Sequence, residues 1–186
     1  MTVEALLVGA GQRGRYVYGA FAERKPDRLR FTAVAEPNES RRHWFGDTHD
    51  IPADRRFASW EDAFTDGAPA PLAVVASPDR LHAGPAEAAL AAGCHVLLEK
   101  PIAHTLEATI RIVEAARRSS GHLHVAHVLR ATPFFTTLHE VVTSERVGDL
   151  VSVEHRENVA AWHMAHSFVR GNWSRSGDAT PMIVQK

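Results

Sequence analysis

Val3-Glu4-Ala5-Leu6-Leu7-Val8-Gly9-Ala10-Gly11-Gln12-Arg13-Gly14 decides how this sequence folds. Residues 3 to 8 are mostly apolar and the run is short enough for a buried strand. Gly9, Gly11 and Gly14 then follow as G-x-G-x-x-G, which reads as strand, tight turn, helix. Gly9 permits the sharp turn, Gly11 lets a pyrophosphate approach the backbone, and Gly14 lets the helix pack close to the strand. An anion at the start of that helix meets backbone N–H groups without intrahelical partners and the positive end of the helix dipole. Gln12 and Arg13 belong to the same candidate phosphate loop.

Working outward, a second strand-like run, Phe31 to Ala35, ends at Glu36, 22 residues beyond Gly14. A dinucleotide fold places an acid near this spacing to hold the adenosine ribose hydroxyls. A surface acid opening the next helix would look the same. Arg41 and Arg42 follow, within reach of a 2'-phosphate. The Glu36 carboxylate would repel that phosphate, so the sequence favours NAD, with NADP possible, and the arginines read as a solvated helix face.

The 186 residues suffice for one full domain and part of a second. Hydrophobic content of 45%, 23% charged residues and a formal net charge of -1 describe an ordinary globular chain. They give no electrostatic reason to expect nucleic acid or an anionic membrane. Cys94 is the single cysteine, so no internal disulfide and no thiolate metal cluster is available, which suits a reducing, cytoplasmic setting. The N-terminus lacks a basic segment, and Glu4 interrupts the only early apolar run, so no signal peptide is expected. No run approaches the ~20 apolar residues of a membrane span.

Along the chain, Arg15 to Arg24 has Tyr16, Val17, Ala20 and Phe21 at helical recurrence. A helix of about ten residues follows Asn38, a candidate N-cap. Ile51 to Ser59 is polar and predicts irregular structure, and a short helix is expected near Trp60 to Phe64. Leu72 to Ala76 and His95 to Leu98 are apolar runs of the kind a doubly covered parallel sheet contains, and His122 to Val128 is a further strand candidate. Helices are expected over His82 to Ala92 and Thr105 to Ser119. This alternation predicts an α/β fold, a doubly wound parallel sheet with a cofactor across the carboxyl ends of its strands. Beyond 128 the character changes: Pro133 to Ser144 predicts a helix and Asp149 to Glu157 an alternating strand. Residues 1–128 therefore read as a dinucleotide-binding domain, and 129–186 as the start of an incomplete α+β domain.

Several of these segments taken together resemble the glucose-fructose oxidoreductase, inositol dehydrogenase and rhizopine-catabolism (Gfo/Idh/MocA) family. They are Gly9-Ala10-Gly11-Gln12-Arg13-Gly14, Ser77-Pro78-Asp79-Arg80-Leu81-His82, the stretch Ala88 to Val96, and Glu99-Lys100-Pro101-Ile102. The resemblance implies a Rossmann domain whose cofactor is lined by Ser77, Pro78, His82, Glu99, Lys100 and Pro101. It also implies that Lys100 helps proton transfer at a substrate hydroxyl and that Pro101 follows a cis peptide bond. The chemistry is consistent, since oxidising an alcohol requires removal of a hydroxyl proton as hydride leaves the same carbon. A loop lysine paired with Glu99 is the plainer alternative, and a histidine with only local hydrogen bonds is the plainer alternative for His82.

The later block, His127 to Arg130 and Pro133 to Phe135 with Glu157 to Trp173, resembles one branch of the same family and is implied to wall the substrate pocket. Arg130, Asn158, Trp162, His163 and Trp173 suit a sugar or polyol, because hydroxyls need directional partners and sugar rings stack on aromatic faces. No metal is expected. His122 and His124 share a strand face that His127 does not, and His163 and His166 are only two ligands. The family's histidine-aspartate motif does not occur before Lys186, so the resemblance implies an incomplete hydride-transfer site with negligible turnover. From another class, the alternative is a non-catalytic NAD-binding sensor or assembly module. Strand 149–157 would lack neighbours within this chain, which leads to an expectation of pairing into a homodimer.

Overall fold

The computed structural model describes residues 1–156, 158–165 and 180. Its strands are β1 (Val3–Val8), β2 (Leu29–Ala35), β3 (Arg56–Phe57), β4 (Leu72–Val75), β5 (His95–Leu98) and β6 (Leu123–Val125). They form one six-stranded sheet in the order β3-β2-β1-β4-β5-β6, and the pairings are parallel. The chain winds outward from β1 to β3, then returns to β4 on the other side of β1. That reversal opens a crevice above the carboxyl ends of β1 and β4.

Alternation along the strands builds a core on each face. Ala5 and Leu7 pack with Phe31, Val34, Val74 and Phe45, and Leu6 and Val8 pack with Ala33, Val75, Leu90 and Ile112. The register shifts between Ala5↔Phe31 and Leu6↔Ala33, leaving Thr32 as an extra residue in β2. Phe31 and Ala33 would share a face in a regular strand; the bulge puts them in opposite cores. The Thr32 carbonyl instead accepts from Arg55 Nε at 2.8 Å. β3 lies inside the stretch predicted to be irregular. Its two residues pair with Val34 and Ala35, and so short an edge strand leaves no periodic signature.

The helices are α1 (Ala20–Arg24), α2 (Glu39–Thr48), α3 (Trp60–Ala63), α4 (Ala83–Ala91), α5 (Leu106–Arg118), α6 (Pro133–Thr143) and α7 (Ala161–Met164). Asn38 caps α2 by accepting from Arg41 N at 3.0 Å, as its position predicts. Ser59 and Thr105 do the same for α3 and α5. Gly14–Gly19 winds as a π-helix before continuing into α1. The side chains whose recurrence suggests an inward face are turned out: Tyr16, Val17 and Phe21 are exposed, while Gly14, Gly19 and Ala22 are buried. The reason is steric. A Cβ on Gly14 would stand 2.2 Å from the Gly9 carbonyl oxygen, and one on Gly19 would stand 3.0 Å from Phe45 and His49. The helix therefore meets the sheet on its glycine side.

Beyond β6, a 3-10 turn at Val128–Ala131 leads into α6. The strand expected over 149–157 is not formed at residues 149–156, and Glu157 lies outside the described residues. Leu150, Val151 and Val153 are exposed there. An alternating sequence becomes a strand only when a neighbour supplies the ladder, and no described strand pairs with these residues. Among the described residues no helix is long and apolar enough to cross a membrane.

Candidate functional site

The glycine loop joins the carboxyl end of β1 to the π-helical segment. Gly9 takes φ +94°, and a Cβ there would lie 2.8 Å from the backbone nitrogen of Ser77. Only glycine meets both conditions without strain. Gly11 is the opposite case, with no atom within 4 Å of where its Cβ would be. Packing therefore does not demand a glycine at 11. Open space above a backbone at the carboxyl edge of the sheet is what close approach of a pyrophosphate requires.

Glu36 sits at the end of β2, almost wholly buried. One carboxylate oxygen accepts from Ala10 N at 2.7 Å and the other from Asn38 N at 3.0 Å. Each oxygen keeps a second lone-pair site, so the carboxylate can anchor the glycine loop and still accept a ribose hydroxyl. Arg42 is not the solvated arginine its sequence suggests. Its guanidinium turns back and donates to the carbonyl oxygen of Glu36 at 2.7 Å. Arg41 is exposed. The open face at Gly11 and the carboxylate beneath the loop together fit the pyrophosphate and adenosine ribose of a dinucleotide.

The other wall of the crevice is the end of β5. Glu99 is buried, pairs with Arg13 Nε at 3.3 Å and accepts from the Tyr18 hydroxyl at 2.7 Å. Burial and then the hydrogen bond to the Glu99 carboxylate hold the Tyr18 phenol well above its ordinary value near 10. Tyr18 was not predicted; no motif marks it, because it reaches Glu99 from the π-helical segment, 81 residues away in sequence. Glu99 fastens the glycine helix to β5. Arg13, with its side chain about half exposed, and the exposed Gln12 stay at the loop surface.

Lys100 follows at once, half-buried, and its bond to Pro101 is cis, as the resemblance implies. Ser77 and Pro78 line the turn after β4, both partly exposed. His82 requires a correction. It is 1% exposed, with Nε2 at 2.9 Å from the Ser77 carbonyl oxygen and Nδ1 at 3.0 Å and 3.2 Å from those of Pro101 and Ile102. Both ring nitrogens already face carbonyls inside the protein, so His82 does not line the cofactor surface. The residues assigned to substrate are less gathered. Arg130, Asn158 and Trp162 are exposed. His163 belongs to α7, but its side chain, like Trp173 and His166, lies outside the described residues. Among the described residues no group of three or more His, Cys, Asp or Glu side chains could hold a metal ion.

Residues 3–127 match the Gfo/Idh/MocA family, described as an oxidoreductase family with an NAD-binding Rossmann fold. An inositol 2-dehydrogenase of Corynebacterium glutamicum is 29% identical over 146 residues, covering 78% of this chain and 42% of that protein. An inositol 2-dehydrogenase of Saccharopolyspora erythraea is 40% identical over 84 residues, 45% of this chain and 25% of that protein. Among solved structures, the WlbA dehydrogenase of Bordetella pertussis, in complex with NADH and UDP-GlcNAcA, superposes with a TM-score of 0.70 at 26% identity, covering 80% of this chain and 44% of its own. An oxidoreductase of Thermotoga maritima gives 0.75 at 26%, covering 93% and 52%. The chain thus spans between about a quarter and a half of the length of these relatives. With its strand order, its glycine cradle and this match over most of its length, the chain belongs to the Gfo/Idh/MocA oxidoreductases and carries their NAD-binding Rossmann domain.

Proposed function

We propose that this chain serves an NAD-dependent oxidoreductase that exchanges hydride with a hydroxyl-bearing carbon of a sugar or polyol, and that Lys100 handles the hydroxyl proton. The observation that carries the reading is the placement of Lys100. It follows β5, beside the strand whose turn closes on Gly9, and its neighbour Glu99 is tied to the glycine helix through Arg13 and Tyr18. A bound nicotinamide supplies the hydride acceptor. Gly11 would admit the pyrophosphate to the loop that Gly9 and Gly14 shape, Glu36 would accept from the ribose, and Lys100, as its neutral amine, would take the proton at Nζ from the substrate hydroxyl. The inositol dehydrogenases and the neighbour crystallised with UDP-GlcNAcA support a polyhydroxylated substrate. Glu36 supports NAD over NADP, since its carboxylate would repel a 2'-phosphate and Arg42 is turned toward backbone carbonyls. The exposed segment at Leu150, Val151 and Val153 supports a homodimer that covers it.

Calorimetry with NADH and NADPH tests the cofactor, and Lys100→Ala tests the division of labour. NADH is expected to bind more tightly than NADPH. The variant should keep affinity within about tenfold, because a role realised in the transition state contributes little to ground-state binding. Equally immeasurable binding of both nucleotides would defeat the reading. Loss of all binding in Lys100→Ala would make Lys100 a structural residue.

A further inference from the structure

We propose that His82 is a positioning residue that sets where Lys100 lies, by clasping the turn after β5 to the turn after β4. The inference rests on the reading of Lys100 above only for what Lys100 does once placed. The ladder between β4 and β5 closes where Glu99 N–H donates to the Val75 carbonyl at 3.0 Å. Past that bond the strands end, and the two turns that would border a nicotinamide, Ser77-Pro78 and Lys100-Pro101-Ile102, have no ladder to hold their spacing. The His82 imidazole spans them. Nε2 lies 2.9 Å from the Ser77 carbonyl oxygen, and Nδ1 lies 3.0 Å from that of Pro101 and 3.2 Å from that of Ile102.

The anchor itself is rigid. His82 ends a 3-10 turn at Asp79–Leu81, its N–H donates to the Asp79 carbonyl at 3.2 Å, and its own carbonyl accepts from Ala86 N at 3.1 Å inside α4. The ring is 1% exposed, so water does not compete for these contacts. A residue serving only to fill the core would need shape and no polar atoms. Here both ring nitrogens stand at hydrogen-bond distance from backbone carbonyls of two separate turns, and one of those turns carries the lysine. In either neutral tautomer one N–H donates to one turn, and both turns are held when each nitrogen carries a proton. A residue whose supporting contacts are lost moves by enough to matter at a reacting centre while the fold survives.

Two amides separate the ends of the clasp. The side-chain nitrogen of His82→Asn falls where Nδ1 was and can donate to Pro101 and Ile102. That of His82→Gln falls where Nε2 was and can donate only to Ser77. The chain has three lysines, Lys25, Lys100 and Lys186, so 13C-dimethylation resolves Lys100 by NMR once Lys100→Arg assigns its signal. In the unliganded chain the Lys100 signal should stay in place in His82→Asn and move in His82→Gln and His82→Ala. On adding NADH, the displacement of that signal should persist in His82→Asn and shrink at least about threefold in His82→Gln, with NADH affinity within about threefold throughout. A Lys100 signal unchanged in all three variants would overturn the clasp, as would equal displacement in the Asn and Gln variants with the same loss of melting temperature. Failure of NADH to move the Lys100 signal in the parent chain would overturn the cofactor reading of Lys100 instead, and the unliganded spectra would still decide the clasp.

Discussion

α5 and α6 are of similar length and both are amphipathic, yet only one is part of a core. α5 starts at a Thr105 cap and buries Ala108 and Ile112 against the sheet. α6 starts with Pro133 in its first turn and buries nothing among the described residues, leaving Phe134 70% exposed and Leu138 46% exposed. Full burial of a large apolar side chain contributes about 1.5–3 kcal/mol, so Ile112 stabilises the fold where Phe134 does not. The same contrast separates the whole of residues 1–127, whose turns are tied to one another by Glu36, Glu99 and His82, from residues 128–165. Local pattern is enough to make a helix; it does not supply the surface that the helix needs.

Four substitutions press on that contrast. The largest effect is expected in the tied region from Gly14→Ala, which sets a Cβ 2.2 Å from the Gly9 carbonyl oxygen. It should cost more than about 3 kcal/mol in denaturant unfolding and abolish NADH binding, because backbone cannot give way there. A stable, binding-competent variant would mean that the helix sits further from the strand.

Gly11→Val should separate binding from folding. No atom lies within 4 Å of the added Cβ, so stability should change by no more than about 0.5 kcal/mol. NADH affinity should fall at least tenfold, roughly 1.4 kcal/mol, because the side chain enters the space kept for the pyrophosphate. Unchanged affinity would move the cofactor away from this loop.

Tyr18→Phe tests the tie between the glycine helix and β5. It leaves buried Glu99 without one donor, at a cost of about 1–3 kcal/mol. The sign of the pH effect follows from the raised phenol. The unfolded chain releases the Tyr18 proton near pH 10 while the folded chain keeps it, so this contribution is complete below pH 10 and declines as pH rises beyond it. Alkaline melting curves of the parent should therefore fall more steeply above pH 10 than those of Tyr18→Phe. Parallel curves would remove Tyr18 from the tie.

Phe134→Ser should do least, changing stability by under about 0.5 kcal/mol, because the ring is already in solvent. Light scattering sharpens this case. If the proposed dimer forms and α6 joins the covering of residues 150–153, the variant should dissociate while its melting temperature stays put. A large loss of stability in a monomer would show that α6 packs on its own chain.

The parts legible in the sequence were those with a local signature. The G-x-G-x-x-G turn, the Asn38 cap, the apolar runs at 72–76 and 95–98 and the Glu-Lys-Pro turn all lie where the residues indicate. The parts that were not legible depend on partners distant in sequence. β3 exists because β2 offers it an edge, and the expected strand at 149–156 is absent because no described strand pairs with it. Tyr16, Val17 and Phe21 recur as an inward face should, yet the glycines take that side.

The site divides along the same line. The sequence by itself determined a glycine turn after β1, an acid at Glu36 after β2 and a lysine after β5, because glycine's freedom at φ +94° and the order of strand, turn and helix are properties of neighbouring residues. Only the tertiary structure decided that Glu99 answers to Arg13 and Tyr18, that Arg42 serves the backbone just after β2, and that His82 turns inward to three carbonyls. A buried polar atom must find its partner wherever the packed chain brings one, and that partner's position is set by the sheet, not by distance along the sequence.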